Sequence, residues 1–302
     1  MILRRCKVKI SVITPFYKGN AYISGLVLNI MKNAENLKKV FPECSVELLI
    51  VNDSPDVEVE LPAETGDVEC MVVTHKVNSG IHQARVTGLE NSSGDYILFL
   101  DQDDTVSESF FIEQLPYMKK YDVVIGNAYI EDAEKKCVAL YRTKGDFEKV
   151  LDVESYIYSH NQITSPGQCM IRKKAIPKEW CQYIMQKNGS DDLFLWMLMF
   201  YSNAKFGVNK KCLYTHHYTG VNLSASGAKM SRSSIEFAEY MRKIDYIPNK
   251  IIDPFIRSRN FITLFKEKNL CGKICHCLKN ADIILIRIKW KLKCRLSSVE
   301  RG

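Results

Sequence analysis

Apolar positions along the first hundred residues fall into two rhythms. Four short runs are almost continuously apolar: KVKISVITP (7–15), stopped by Pro15; SVELLIVND (45–53); VECMVVTHK (68–76); and YILFL (96–100), preceded by Gly94-Asp95. Runs of this length, rich in β-branched or aromatic residues and bounded by turn signals, read as strands buried on both faces, as in a parallel sheet covered by helices. Between them, residues 22–40 repeat apolar positions at helical spacing, with Ile23, Leu26, Val27, Ile30 and Met31 on one face, and SGIHQARVTGLENSSG (79–94) reads as a helix between glycines. Strand, helix, strand, strand, helix, strand is the order of a nucleotide-binding α/β half with a mainly parallel sheet.

The rhythm is less regular afterwards. YDVVIGNAYI (121–130) and KCVALYR (136–142) predict strands, SPGQCMIRKKAI (165–176) a strand running into a helix, and SDDLFLWMLMFYS (190–202) a buried helix. Ser190 is a candidate N-cap of that last helix, and the acids in its first turn suit the helix dipole. KCLYTHHYTGVNLSAS (211–226) predicts a strand leading into a polar loop, and from about Lys229 the chain reads as helical and basic. Within that tail, Ile286 to Lys293 alternates strictly, which is a strand period.

The fourth apolar run ends abruptly in Asp101, Asp103 and Asp104. Three like charges so close repel one another and lose hydration if folded inward. A solvated acidic turn accounts for them, and so does a bound hard cation, since carboxylate oxygens are what Mg²⁺ or Mn²⁺ takes. An EF-hand loop does not fit, because the sixth position is not Gly and the twelfth is not Glu.

The 302 residues, 46% hydrophobic and 25% charged, suffice for one large domain or two lobes. No apolar run reaches the length of a membrane span, and the N-terminus lacks the long apolar core of a signal peptide. Eleven cysteines without paired spacing suit a reducing cytoplasm, and CGKICHC (271–277) is too crowded, with no second CxxC pair, to read as a zinc site. Net charge is +7, but it belongs to the tail: from Lys250 onward 13 Lys/Arg face 4 Asp/Glu, against 29 and 31 before it. That tail mixes cations with apolar residues and Trp290, which predicts peripheral contact with an anionic membrane surface.

Four stretches read together: VNDSPD (51–56), NSGIHQARVTGLENSSGDYILFLDQDD (78–104), GSDDLFLWML (189–198) and YTHHYTGVNLS (214–224). Their order and spacing resemble glycosyltransferase family 2, inverting transferases of GT-A fold, over about residues 7–225. The resemblance implies that Asp101 and Asp103 hold Mn²⁺ or Mg²⁺ on the diphosphate of a nucleotide sugar, and that Asp53 contacts the base or ribose. ITPFYKG matches the family's opening at Pro15 and Tyr17, with Tyr17 against the base, although Lys18 replaces the usual Asn. Ser54-Pro55 stand where the family has Gly-Ser. Arg85 is implied as a neighbour of the diphosphate and Asp192 as the general base, with Asp191 replacing the family's Glu. A histidine after the later strand approaches the metal in some members; His217 is taken as that ligand, with His216 adjacent. Trp180 and Trp196 read as core or acceptor wall.

The expected architecture is therefore α/β with a GT-A domain at 1–225, its nucleotide-sugar-binding half at 1–130 and acceptor-binding half at 131–225, followed by a basic helical extension at 226–302. The expected activity is metal-assisted inverting transfer from a nucleotide sugar, a UDP-sugar by preference, to a saccharide or lipid-linked saccharide hydroxyl in polysaccharide or glycolipid assembly. Expected placement is cytoplasmic, peripheral at the inner face of the membrane, with no nucleic acid as partner. A nucleotidyltransferase is an alternative, but no Gly-rich triphosphate loop is visible near the N-terminus; a degenerate nucleotide-sugar-binding module is another, opposed by the intact acids.

Overall fold

The structure, a computed structural model, describes residues 7–220 and 227–298. The predicted strands of the first half form as β1 (Lys9–Phe16), β2 (Ser45–Asn52), β3 (Glu69–Thr74) and β4 (Tyr96–Phe99), with α1 (Asn20–Val40) after β1 and α2 (Gly80–Asn91) after β3. They pair in the order β3-β2-β1-β4, all parallel. Both faces of β1, β2 and β4 are buried: Ile10, Val12, Leu48, Ile50 and Leu98 share a core with Ile23, Leu26 and Ile30 of α1, whereas Ile13, Leu49, Ile97 and Phe99 face the opposite core. At the sheet edge, β3 is not doubly buried as its apolar run predicts, and exposes Met71 and Val72. Gly88 of α2 lies so close to the sheet that a Cβ there would stand 2.2 Å from Ile13 Cγ2, so the helix can only seat as it does with glycine.

Beyond β4 the sheet becomes mixed. After β5 (Thr105–Val106) and α3 (Phe110–Gln114) come β6 (Val123–Glu131), β7 (Cys137–Ala139), α4 (Lys144–Val150), α5 (Val153–Tyr158), β8 (Cys169–Arg172), α6 (Lys178–Gln182), α7 (Asp191–Tyr201) and β9 (Phe206–His216). The order continues β4-β8-β6-β9-β5, in which only β6 and β9 are parallel neighbours. The expected helix after β8 shrinks to a single 3-10 turn at Lys173–Ala175, since Pro177 bars its continuation. The strand foreseen from 211 starts five residues earlier, and its polar residues Asn209, Lys210 and Lys211 lie where pairing with β6 shifts register. The polar loop foreseen after it falls partly on residues 221–226, outside the described residues.

The tail forms α8 (Gly227–Met241), α9 (Ile252–Lys266), α10 (Leu270–Lys279) and α11 (Ala281–Leu296). Its strictly alternating stretch is helix and not strand: Ile283 and Trp290, seven residues apart on one face, are buried, whereas Ile288 and Leu292 are exposed on the other. Phe237, Ala238 and Met241 of α8 and Ile252 and Phe255 of α9 join the same core as Phe194, Trp196 and Leu198 of α7. Trp180 and Trp196 are fully buried in that core.

Candidate active site

Because β1, β2 and β4 are parallel neighbours, Pro15, Asp53 and Asp101 arrive together at their carboxyl edge. That edge, where β1 has one successor on each side, is where ligands bind in open α/β sheets. A cleft of about 1210 Å³ opens there; Tyr17, Arg85 and Asp103 share this wall, Asn161, Asp191 and Asp192 line another, and Arg259, Arg287 and Trp290 of α9 and α11 close the far end.

The three acids that end the fourth run have three different environments. Asp104 is buried: the Tyr214 hydroxyl and the His217 backbone N–H donate to it, the latter at 2.9 Å, and His216 Nδ1 lies 3.2 Å away. It ties the end of β9 to the loop after β4, and its hydrogen bond to His216 pushes that imidazole's pKa up. Asp101 accepts from Arg85 Nη2 at 2.6 Å. Asp103 lines the cleft, where its own backbone N–H and the charge of His216 favour its ionised form. Burial, then the charges of Asp104 and Asp101, push its pKa up to about 6.

A cleft-wall carboxylate crowded by two other acids fits a hard cation, which takes one or two carboxylates plus substrate phosphates rather than a closed protein cage. Among the described residues no three His, Cys, Asp or Glu side chains converge on one point. Asp103, with Asp101 beside it, would hold such an ion. His217 is not placed as its ligand: its Nδ1 lies 3.0 Å from Glu131 and its Nε2 2.9 Å from Thr105, so both ring nitrogens are engaged away from the acids. Of the two adjacent histidines, His216 is the one that lines the cleft.

Arg85, buried on α2, divides its guanidinium between the two halves of the chain. Nη2 takes Asp101 and Nη1 donates to Asp191 Oδ2 at 2.7 Å. Burial opposes its charge, but Asp191 and Asp101 outweigh it and push the pKa up. It lines the cleft as expected of a diphosphate neighbour, yet it is also the bolt between the fourth strand and α7.

Asp53 is less a free binding group than the sequence implies. Its carboxylate accepts from Ser79 N at 2.6 Å, Gly80 N at 2.8 Å and His75 Nδ1 at 2.8 Å. An anion thus sits on the amino end of α2, where the helix dipole favours it. Gly80 makes this possible with a φ of +86°, which a side chain would resist. Tyr17 is 55% exposed at the mouth, its backbone N–H held by Gln102 Oε1 at 3.1 Å.

At the start of α7 the uniformly apolar run that follows draws both acids inside. Ser190 does not cap the helix; its hydroxyl bonds Met230 O at 3.1 Å and Ser234 Oγ at 3.0 Å, fastening α8. Trp180 Nε1 holds the Asp191 carbonyl at 2.9 Å. Asp192 accepts from Leu193 N and from Asn161 Nδ2, each at 2.7 Å. Burial and then the charge of Asp191 push its pKa up to about 7, against the pull of Arg85 and these two donors. It is a carboxylate poised to gain or lose a proton near neutrality, the property a general base needs. Asn161, Arg259 and Arg287 had no sequence signal: Asn161 sits in a polar loop, and the arginines read as part of a charge run.

A family model, "Glycosyl transferase family 2", matches residues 11–179. Among curated proteins, the minor teichoic acid biosynthesis protein GgaB of Bacillus subtilis is 27% identical over 219 residues, 69% of this chain and 22% of that protein. The glycosyltransferase GlyA of Streptococcus pneumoniae is 29% identical over 150 residues, 48% of this chain and 20% of that protein. The chain thus spans about a fifth of the length of these relatives. Among solved structures, S. aureus TarS 1–349 in complex with UDP-GlcNAc superposes with a TM-score of 0.61 at 16% identity, covering 94% of this chain and 85% of that one. The mannosyltransferase PcManGT from Pyrobaculum calidifontis, in complex with GDP-Man and Mn²⁺, gives 0.53 at 10% identity, covering 96% and 85%.

Proposed function

We propose, from the premise that this chain belongs to glycosyltransferase family 2 and is a glycosyltransferase, that it moves one sugar from a UDP-sugar to a saccharide hydroxyl with inversion. The observation that carries the mechanism is the placement of two different carboxylates on two walls of one cleft: Asp103, crowded by Asp104 and Asp101, on the strand-edge wall, and Asp192, its pKa near 7, on the other.

The nucleotide sugar lies along the edge of β1, β2 and β4, its diphosphate toward Asp101 and Asp103. A divalent cation bound there supplies neutralisation of the charge that builds on the leaving diphosphate. The acceptor hydroxyl attacks the anomeric carbon from the face opposite the nucleotide. As the new C–O bond forms, its proton passes to Asp192, and the bond to the diphosphate breaks with its electron pair leaving on the nucleotide. Asn161 and the Leu193 N–H aim the Asp192 carboxylate. The UDP preference is supported by the fold shared with a structure that holds UDP-GlcNAc.

Attachment to the inner face of a membrane is part of the reading. No helix among the described residues is long and apolar enough to cross a membrane. The outer faces of α10 and α11 nevertheless expose Leu270, Ile274, Leu278, Leu285, Ile288, Leu292 and Leu296. Lys273, Lys279, Lys291 and Arg295 lie on the same helices. Apolar residues framed by cations suit the interface of an anionic bilayer.

The test is incubation of the full chain with a panel of UDP- and GDP-sugars and Mn²⁺, following slow release of the nucleoside diphosphate. Metal-dependent release from a UDP-sugar is expected. Release from none of them, with no metal-dependent binding, would refute the donor assignment.

A further inference from the structure

The far end of the cleft carries charge that the reaction as described does not use. Arg259 of α9 and Arg287 of α11 both line it. Arg259 donates to the carbonyl of Ser159 at 2.6 Å and to that of Tyr156, and stacks on Phe255 at 4.0 Å from the ring centroid. Arg287 Nε donates to Tyr158 O at 2.8 Å and its Nη2 to Ser258 O at 3.2 Å. Its Nη1 makes no hydrogen bond among the described residues. Among the described residues every acceptor of these two guanidinium groups is a carbonyl or a hydroxyl; none is a carboxylate. The acids on the neighbouring elements are already engaged: Glu154 with Lys289 at 2.9 Å and Asp282 with Arg257 at 2.6 Å, while Glu148 takes Lys293 at 2.5 Å. Lys149 lines the same region, and its ammonium has no partner among the described residues.

The carbonyls at the end of α5 answer part of this charge, since a helix carboxyl end carries roughly half a negative charge. Two guanidinium groups and an ammonium exceed that severalfold. His160 lines the same cleft; loss of hydration first, and then the charges of Lys149, Arg259 and Arg287, push its pKa down to about 4. The cations also sit close to the reacting centre. Asn161 holds Asp192, and Ser159, two residues before it, holds Arg259; two residues of extended chain span about 7 Å.

We infer that Arg259, Arg287 and Lys149 form an anion subsite that holds a phosphate carried by the acceptor, close to the hydroxyl that receives the sugar. The inference rests on the transferase reading above. Forked guanidinium donors match phosphate oxygens in geometry, and a phosphate can balance more than one of these charges, as a single carboxylate cannot. The subsite selects acceptors and places them, whereas the donor diphosphate stays on the aspartate wall.

The test uses the full chain saturated with UDP and Mn²⁺, titrated calorimetrically with glucose 1-phosphate and with glucose. Binding of the phosphate and not of the neutral sugar is expected, weakened at least tenfold in Arg287→Gln and in Lys149→Gln, with UDP affinity unchanged. Lys149 is half-buried and unpaired, so its replacement leaves the fold intact even if Arg287→Gln does not. Citronellyl phosphate as a third probe identifies the source: tighter binding than glucose 1-phosphate assigns the phosphate to a lipid carrier, weaker binding to a glycan. A chain that binds UDP but not glucose 1-phosphate, or binds it as tightly in both variants as in the wild type, overturns the subsite alone. One that binds the sugar phosphate through these cations but not UDP overturns the transferase reading instead.

Discussion

Replacing Asp192 by Asn removes the proton acceptor while keeping shape, and the structure sets how large and how pH-dependent the loss should be. A positioned general base contributes about 10²–10⁴-fold, or roughly 3–5.5 kcal/mol of barrier. Asp192→Asn should therefore retain donor binding, since none of its contacts lies on the strand-edge wall, and lose turnover by about that factor. In the wild type the base must be ionised; with a pKa near 7, kcat/KM should rise about tenfold from pH 6 to pH 8 and then level off. Two neighbours move this rise in opposite directions. Asn161→Ala deletes a donor that favours the ionised form, so the rise shifts to higher pH; Asp191→Asn deletes a like charge, so it shifts to lower pH. A stability signature accompanies the kinetics. Because the folded-state pKa is raised, the folded protein binds the extra proton between about pH 4 and 7 and loses stability as pH climbs through that window. Asp192→Asn should thus melt no lower than wild type above pH 7, whereas Asp191→Asn strips a partner from buried Arg85 and should melt lower. Transfer rates at saturating donor across pH 5.5–9 measure the first set, and thermal melts the second. Near-normal turnover in Asp192→Asn, or an unchanged profile in Asn161→Ala, would refute the assignment.

Asp103→Asn should abolish the Mn²⁺-dependent part of UDP affinity in calorimetry while leaving the melting temperature within a degree or two; undiminished metal dependence would move the ion elsewhere. Asp53→Ala should weaken UDP binding and also destabilise the fold, because two backbone N–H groups and His75 lose their acceptor; with about 1.5–3 kcal/mol for each hydrogen bond to a charged group, a loss of about 3 kcal/mol or more is expected in urea unfolding, and wild-type stability would show that the anchor is dispensable. For the membrane face, Ile288→Asp combined with Leu292→Asp should reduce flotation with anionic liposomes and spare flotation-independent UDP binding; equal flotation rules this face out. Truncation after Asn280 is a poor substitute for these variants, since it removes the buried Ile283 and Trp290 along with the surface.

The parallel half was legible because β1, β2 and β4 are buried on both faces, so YILFL and LLIV appear as unbroken apolar runs with an acid just past the end; β3 gave a similar run from the sheet edge, where Met71 and Val72 are exposed. The acids themselves were legible as a set but not as individuals. Nothing local distinguishes Asp103, which lines the cleft, from Asp104, satisfied by Tyr214 and the end of β9 110 residues later. His216 and His217 are separable only once β9 is placed against β5 and β6. Arg85 was visible as a charge near the site, yet its second partner, Asp191, lies 106 residues away. The tail misled most: alternation in 286–293 mimics a strand because one helical face is buried in the core while the other exposes Ile288 and Leu292, so two apolar stripes interleave.

Synthesis proceeds from β1 toward α11, and folding tends to follow the same direction. The nucleotide wall is made of neighbours in sequence and can assemble early, whereas the far end of the cleft waits for α9 and α11. Until α8 and α9 emerge, Phe194 and Trp196 lack the core partners Phe237 and Phe255, and until α11 follows, the space meant for the acceptor is open to water. A nascent chain can therefore acquire a place for its donor well before it can exclude solvent from it, and protection of the nucleotide sugar from hydrolysis comes only with α9 and α11, the helices that shut the cleft.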